Sequence, residues 1–285
     1  MLHSNLMRSA FYIVVLINTY TTARILHKPR EVRCSTLIVF GDSFSDDGVE
    51  AMGPSHGFVR DCNGPNYAEY LNKLLQCETY LNFAYSGAKS GQDNFYFNGW
   101  SGVQWQVDKF LEAESEYDLD PIIVFQSGGS IDFFTGDNDS TAVLSNIQST
   151  LHKLTKNLDR GTLIVLSLMD VSSAPGVRSS EDSDDLRFRL GQLVSDTNRK
   201  LGQLILDGDL GVRRMSPSLT VQYIDINPII LTSTYHLNTT QPFSHHSPDT
   251  SIRSAFRYAY HDLWNPSTIV HYAVAKDIAR QLQDL

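Results

Sequence analysis

The stretch TLIVFGDSFSDDG, residues 36–48, is where the fold can first be read. Thr36–Phe40 is a short apolar run rich in β-branched and aromatic side chains, and Gly41 follows it at once. That is the pattern of a buried strand ending in a tight turn. Downstream the pattern alternates. Tyr67, Tyr70, Leu71, Leu74 and Leu75 recur at helical spacing, Tyr80–Phe83 reads as a strand, and Val103, Val107, Phe110 and Leu111 mark a second amphipathic helix. Pro121–Phe125 and Leu163–Leu168 are continuous apolar strands separated by the helical stripe Leu144, Ile147, Leu151 and Leu154. A longer stripe from Leu186 to Leu204, a strand at Val221–Ile224 and a final helix from about Thr268 to Leu282 complete the series. Strands apolar on both faces and alternating with helices predict an α/β chain, a three-layer α/β/α sandwich around a mostly parallel sheet. Such sheets bind their ligands outside the carboxyl ends of the strands, which directs attention to the residues after Phe40, Phe83, Phe125 and Leu168.

The composition agrees with one large domain. The chain has 285 residues, 41% of them hydrophobic and 19% charged, enough for a substantial core and unlike a disordered or fibrous chain. Its 32 acidic residues outnumber 23 basic ones, for a formal charge of −9, which argues against a nucleic-acid partner. Arg8, the apolar run Ala10–Ile17 and the small residues Thr21 and Ala23 read as a secretory signal peptide over residues 1–23; an N-terminal anchor or a buried first helix is the competing reading. Residues 24–285 then form a single domain with no transmembrane segment, and the expected location is extracellular. Asn138-Asp139-Ser140 and Asn238-Thr239-Thr240 are acceptor tripeptides for N-glycosylation. Cys34, Cys62 and Cys77 allow one bridge and one free thiol, and Cys62 with Cys77 closes the shortest loop. No Cys/His spacing suggests a metal, and no cofactor is expected. The acidic run Ser179–Asp185 reads as a solvated loop entering the Leu186 helix.

Ser43 stands where the first strand ends and is the candidate nucleophile. A Gly-Asp-Ser triplet alone is equally a turn or a cap. The blocks TLIVFGDSFSDDG, NGPNYAEYLNKLL (63–75), LNFAYSGAKSG (81–91), VQWQVDKFL (103–111) and DLWNPSTIVHYAVA (262–275), in this order, resemble the GDSL or SGNH serine ester hydrolases, above all secreted plant and fungal members and carbohydrate acetylesterase-like proteins. The resemblance implies a flavodoxin-like sandwich, a serine nucleophile at Ser43 whose N–H also serves the oxyanion hole, and an oxyanion glycine at Gly87. It further implies an Asp-x-x-His pair beginning at Asp262, and acyl or acetyl esters of carbohydrate or lipid as substrate.

Two of the implied positions are substituted. Gly129-Ser130-Ile131-Asp132 puts Ile131 where the family has an oxyanion-donating asparagine, with Ser130 one residue out of register as a substitute donor. Asp262-Leu263-Trp264-Asn265 puts Asn265 where the imidazole belongs. A carboxamide cannot take the serine proton or return it to the leaving alkoxide. Candidate stand-in bases are His261, His271, His245 and His246, with His261 first because it adjoins Asp262. Phe44, Tyr85, Trp100, Trp105 and Trp264 are candidate stacking surfaces. Two functions follow: a serine ester hydrolase working through Ser43 and a substitute base, or a catalytically silent descendant that keeps the pocket for binding an acylated carbohydrate, a lipid or a protein.

Overall fold

Five strands form one parallel sheet in the order β2-β1-β3-β4-β5: β1 is Thr36–Phe40, β2 Thr79–Asn82, β3 Pro121–Phe125, β4 Arg160–Leu166 and β5 Ser218–Ile224. The computed structural model describes residues 34–49, 60–113, 120–208, 210, 216–245 and 255–284. The leader read over residues 1–23, and His246, lie outside them. β1 and β3 are buried along their whole length, as strands covered by helices on both faces must be. The strand order is the doubly wound, flavodoxin-like one, in which the winding reverses between the parallel neighbours β1 and β3 and opens a crevice at their carboxyl ends.

The helices are α1 (Tyr67–Leu75), α2 (Val103–Ala113), α3 (Gly129–Phe134), α4 (Ser140–Asn157), α5 (Pro175–Arg178), α6 (Ser183–Leu206), α7 (Asn227–Ser233) and α8 (Thr268–Gln283). α1 and α7 pack on α8, whereas α2 packs on α4 and α4 on α6, giving the two outer layers of the sandwich. Asn66 starts α1 with a reciprocal capping box: its side chain accepts the Glu69 N–H at 3.1 Å while Glu69 accepts the Asn66 N–H at 2.8 Å. The same Asn66 donates to the Ser45 carbonyl at 2.8 Å, so the cap also ties α1 to the turn after β1.

The structure redraws some strand bounds and decides the cysteine pairing. β2 begins and ends one residue earlier than Tyr80–Phe83. β4 begins at Arg160, because its polar first turn pairs with Ser218–Thr220 of the edge strand, and it ends before Leu168, whose N–H goes to the Asn198 side chain at 2.7 Å. The disulfide joins Cys34 to Cys77, and Cys62 is the free thiol. Strand register explains the pairing. Thr36 lies opposite Thr79, so the residues two positions before each lie opposite one another, with Cα atoms 4.6 Å apart.

Candidate active site

Gly41, Asp42 and Ser43 turn the chain sharply after β1, and two glutamines from neighbouring elements hold that turn. Gln106 of α2 accepts the Gly41 N–H and donates to the Gly41 carbonyl, both at 2.9 Å. Gln126, next after β3, accepts the Asp42 N–H at 2.7 Å and donates to Asp42 Oδ2 at 2.8 Å. Asp42 Oδ1 takes the Phe44 N–H at 2.9 Å. Burial pushes the Asp42 carboxyl up from its ordinary pKa, and the hydrogen bonds from Gln126 and Phe44 oppose that shift. Ser43 is different. It is half-buried, lines a cavity, and makes no hydrogen bond among the described residues.

That cavity, of about 410 Å³, lies at the carboxyl ends of β1 to β4, where a doubly wound sheet places its ligands. Asp42 and Ser43 come from the end of β1, Ser86 and Gly87 from the end of β2, Ser130 and Ile131 from α3, and Met169 and Val171 from the segment after β4. Asp262, Trp264 and Asn265 come from the loop before α8. Gly87 has φ +80°, and a Cβ there would sit 2.9 Å from Asn94 Oδ1, so only glycine fits. Its N–H has no partner among the described residues, as an oxyanion donor requires. Ile131 presents an aliphatic side chain at the third position. Ser130 Oγ donates to the Met169 carbonyl at 2.8 Å and so is already engaged.

The Asp262–Asn265 pair closes on itself. Asp262 Oδ1 accepts the N–H groups of Trp264 at 2.7 Å and Asn265 at 2.6 Å, and Oδ2 accepts the Asn265 side-chain amide at 3.1 Å. The carboxylate that would orient an imidazole orients a carboxamide. His261 does not line the cavity. Its N–H donates to the Asn265 carbonyl at 2.8 Å, and its ring Nδ1 is buried without a hydrogen-bond partner. His271 lies in α8 beneath the turn, stacked on Phe44 with centroids 4.5 Å apart and accepting the Tyr67 N–H on Nδ1 at 3.3 Å. Burial holds its pKa down at about 3, so the ring stays neutral and structural. His245 belongs to a single 3₁₀ turn, Phe243–His245, and its side chain lies outside the described set, as does all of His246.

Two functional candidates had no signature in the sequence. Asp61 and Ser86 both line the cavity, and the Ser86 hydroxyl donates to Asp61 Oδ2. Asp61 reaches the site because its segment is pinned to the start of α8: Asn63 accepts the Thr268 N–H at 2.9 Å, and the Thr268 hydroxyl donates to the Pro65 carbonyl at 2.8 Å. Burial raises the pKa of Asp61 and the charge of Asp262 adds to the rise, while the Ser86 hydrogen bond and His261 lower it. The aromatic lining also differs from the sequence expectation. Trp264 does line the cavity, packed so tightly on Gly176 that a Cβ there would meet its ring at 2.5 Å. Phe44 is buried between Tyr67 and His271, and Tyr85, Trp100 and Trp105 cluster with one another at centroid distances of 5.3–5.9 Å. The other lining rings are Phe95, Tyr96 and Phe134. Among the described residues no group of three or more metal-ligating side chains converges, and no helix is long and apolar enough to cross a membrane.

The family model described as GDSL-like Lipase/Acylhydrolase matches residues 37–278. Among solved structures, the native aryl esterase of M. smegmatis is similar at a TM-score of 0.52 and 13% identity, covering 88% of this chain and 100% of the other. A carbohydrate acetylesterase from Sinorhizobium meliloti is similar at a TM-score of 0.51 and 10% identity, covering 88% and 98%. At those identities the likeness is one of fold. A search of curated protein sequences finds no match.

Proposed function

This chain belongs to the GDSL-like lipase/acylhydrolase family, and from that premise we propose that it is a secreted protein that binds acyl or acetyl esters in the Ser43 cavity while being catalytically silent or nearly so. One observation carries the reading: the Asn265 carboxamide occupies Asp262 in the place of a general base, while the Ser43 hydroxyl has no hydrogen-bond partner among the described residues. Removing the base of a serine hydrolase costs on the order of 10⁶ in kcat. An oxyanion hole short of one donor, as at Ile131, costs about 10²–10³ where the rest of the machinery works. The binding half of the function does not need those groups. The cavity, the Gly87 N–H and the Ser43 turn all persist, and they suit an ester carbonyl carried by a carbohydrate or lipid.

Secretion is supported by the leader pattern and by the Cys34–Cys77 bridge, which suits an oxidising compartment. Asn138 is exposed at its acceptor tripeptide, whereas Asn238 is half-buried. Asn138 is therefore the better glycan site. The function is tested by assaying the purified protein with p-nitrophenyl acetate beside its Ser43→Ala variant. Equal rates are expected; serine-dependent turnover well above background would overturn the silent reading and establish the hydrolase, with His261 the first substitute base to mutate.

A further inference from the structure

The lining of the Ser43 cavity carries a charge pattern that holding an ester carbonyl does not require. Asp61 and Asp262 face it, and among the described residues no lysine or arginine does. Asp42 also lines it, but it is almost fully buried and each of its carboxylate oxygens is engaged by the turn, through Gln126 and Phe44. Asp61 accepts one hydrogen bond among the described residues, from Ser86, and Asp262 Oδ2 accepts one, from Asn265. A carboxylate offers about four acceptor sites, so both retain capacity toward a ligand.

The same cavity has an aromatic wall. Tyr96, Phe95, Phe134 and Trp264 follow one another with centroid separations of 4.8, 6.3 and 4.5 Å. Asp262 Oδ1 holds the Trp264 backbone at 2.7 Å, which fixes one acid and one ring as a unit. A ligand with an anionic head would meet carboxylates with no lysine or arginine beside them among the described lining residues, and a neutral head would desolvate them without pairing. A primary ammonium would bring three N–H donors to a wall that is largely hydrocarbon. A quaternary ammonium has no N–H to satisfy and is attracted both by ring faces and by carboxylates.

We infer that the cavity recognises esters whose alcohol part carries a quaternary ammonium head, of the choline type, seated between Asp61 and Asp262 on one side and the Tyr96–Phe134–Trp264 rings on the other. The inference rests on the ester-binding reading above and names the ligand class of that site.

The test is equilibrium binding by calorimetry, with acetylcholine compared with 3,3-dimethylbutyl acetate, its uncharged isostere. Parent protein and Ser43→Ala are run in parallel so that turnover cannot consume the ligand. Acetylcholine is expected to bind at least about fivefold tighter than the isostere. Asp61→Asn, which keeps an acceptor for Ser86 and removes the charge, should bring the two to within about twofold of each other. Tyr96→Ala should weaken acetylcholine more than the isostere. Equal affinities in the parent would overturn the cationic ligand class while leaving ester binding standing. Binding of neither ester would overturn both.

Discussion

Replacing Asn265 by histidine should restore proton transfer to Ser43, and the surroundings of the position set the size of the gain. Asp262 Oδ1 is held by two backbone donors, at 2.7 and 2.6 Å, so this carboxylate keeps its place whatever side chain stands at 265. Its Oδ2, now 3.1 Å from the Asn265 amide, would accept a ring N–H instead. That bond fixes the tautomer and leaves the second ring nitrogen for the cavity that Ser43 lines. A complete site would regain on the order of 10⁶ in kcat, but Ile131 leaves the oxyanion hole one donor short, worth about 10²–10³. Asn265→His should therefore raise kcat for p-nitrophenyl acetate about 10³-fold, roughly 4 kcal/mol of barrier. Adding Ile131→Asn should raise it by about another 10². Ile131→Asn alone should gain less than about threefold, because groups that act as a unit are not additive. Initial rates at about pH 8, where an ordinary imidazole is neutral, measure all three variants. If the double variant keeps the parent's circular dichroism yet hydrolyses no faster than its own Ser43→Ala derivative, proton transfer is not what the site lacks and the reasoning fails.

Three further outcomes follow from the same structure. The Cys34–Cys77 bridge spans 43 residues, for which the chain-entropy model gives about 4 kcal/mol, so Cys34→Ser with Cys77→Ser should lower the unfolding free energy by roughly 2–4 kcal/mol in urea titrations, whereas Cys62→Ser should stay within about 0.5 kcal/mol. Burial raises Asp46 to about 7 and Asp132 to about 6, so the folded chain holds these protons more tightly than the unfolded one. The contribution of these two carboxyls to stability should be full below about pH 4 and be lost as pH rises through 6 to 7, so the parent should lose stability relative to Asp132→Asn over that window; parallel curves for parent and variant would refute the assignment. Gly87→Ala forces a Cβ onto Asn94 Oδ1 at a backbone φ of +80°, and should cost about 1–3 kcal/mol in chemical unfolding and weaken ester binding; an unperturbed variant would mean the Asn94 turn shifts freely.

The parts of the fold visible in the sequence are those whose signal is local. β1 and β3 lie between other strands and are apolar throughout, so composition alone delimits Thr36–Phe40 and Pro121–Phe125. β5 is an edge strand with Ser218, Thr220 and Gln222 among its seven residues, and only its last four read as a strand. The disulfide was not legible from loop length, because register between β1 and β2 decides which cysteines face each other. In the site, Ser43, Gly87, Asp262 and the substituted Ile131 and Asn265 lie in motifs, and the structure brings all five to one cavity. Asp61 and the aromatic wall were invisible because contacts between remote segments place them: Asn63 and Pro65 meet Thr268 across some 200 positions, and Phe134 meets Trp264 across 130.

The Gly41-Asp42-Ser43 triplet does two separable jobs, and only one of them concerns chemistry. A Cβ at Gly41 would lie 2.4 Å from Gln126 Oε1 and 2.5 Å from Ser45 Oγ, so the turn demands glycine. Asp42 satisfies Gln126 Nε2 and the Phe44 N–H in a buried setting, and Asp42→Ala would strand both donors at about 1–3 kcal/mol each. These two residues would be needed by the sheet edge in an active or a silent protein alike. Ser43 supports nothing in the scaffold, since its hydroxyl has no partner among the described residues. Ser43→Ala should therefore leave the urea midpoint within about 0.5 kcal/mol of the parent, while Asp42→Ala shifts it by several times that amount. A Ser43→Ala protein destabilised by more than about 1 kcal/mol would place the hydroxyl in the framework of the turn. In that event equal esterase rates in parent and variant would no longer isolate the chemistry of the serine, because the comparison would be between two different folds of the same cavity.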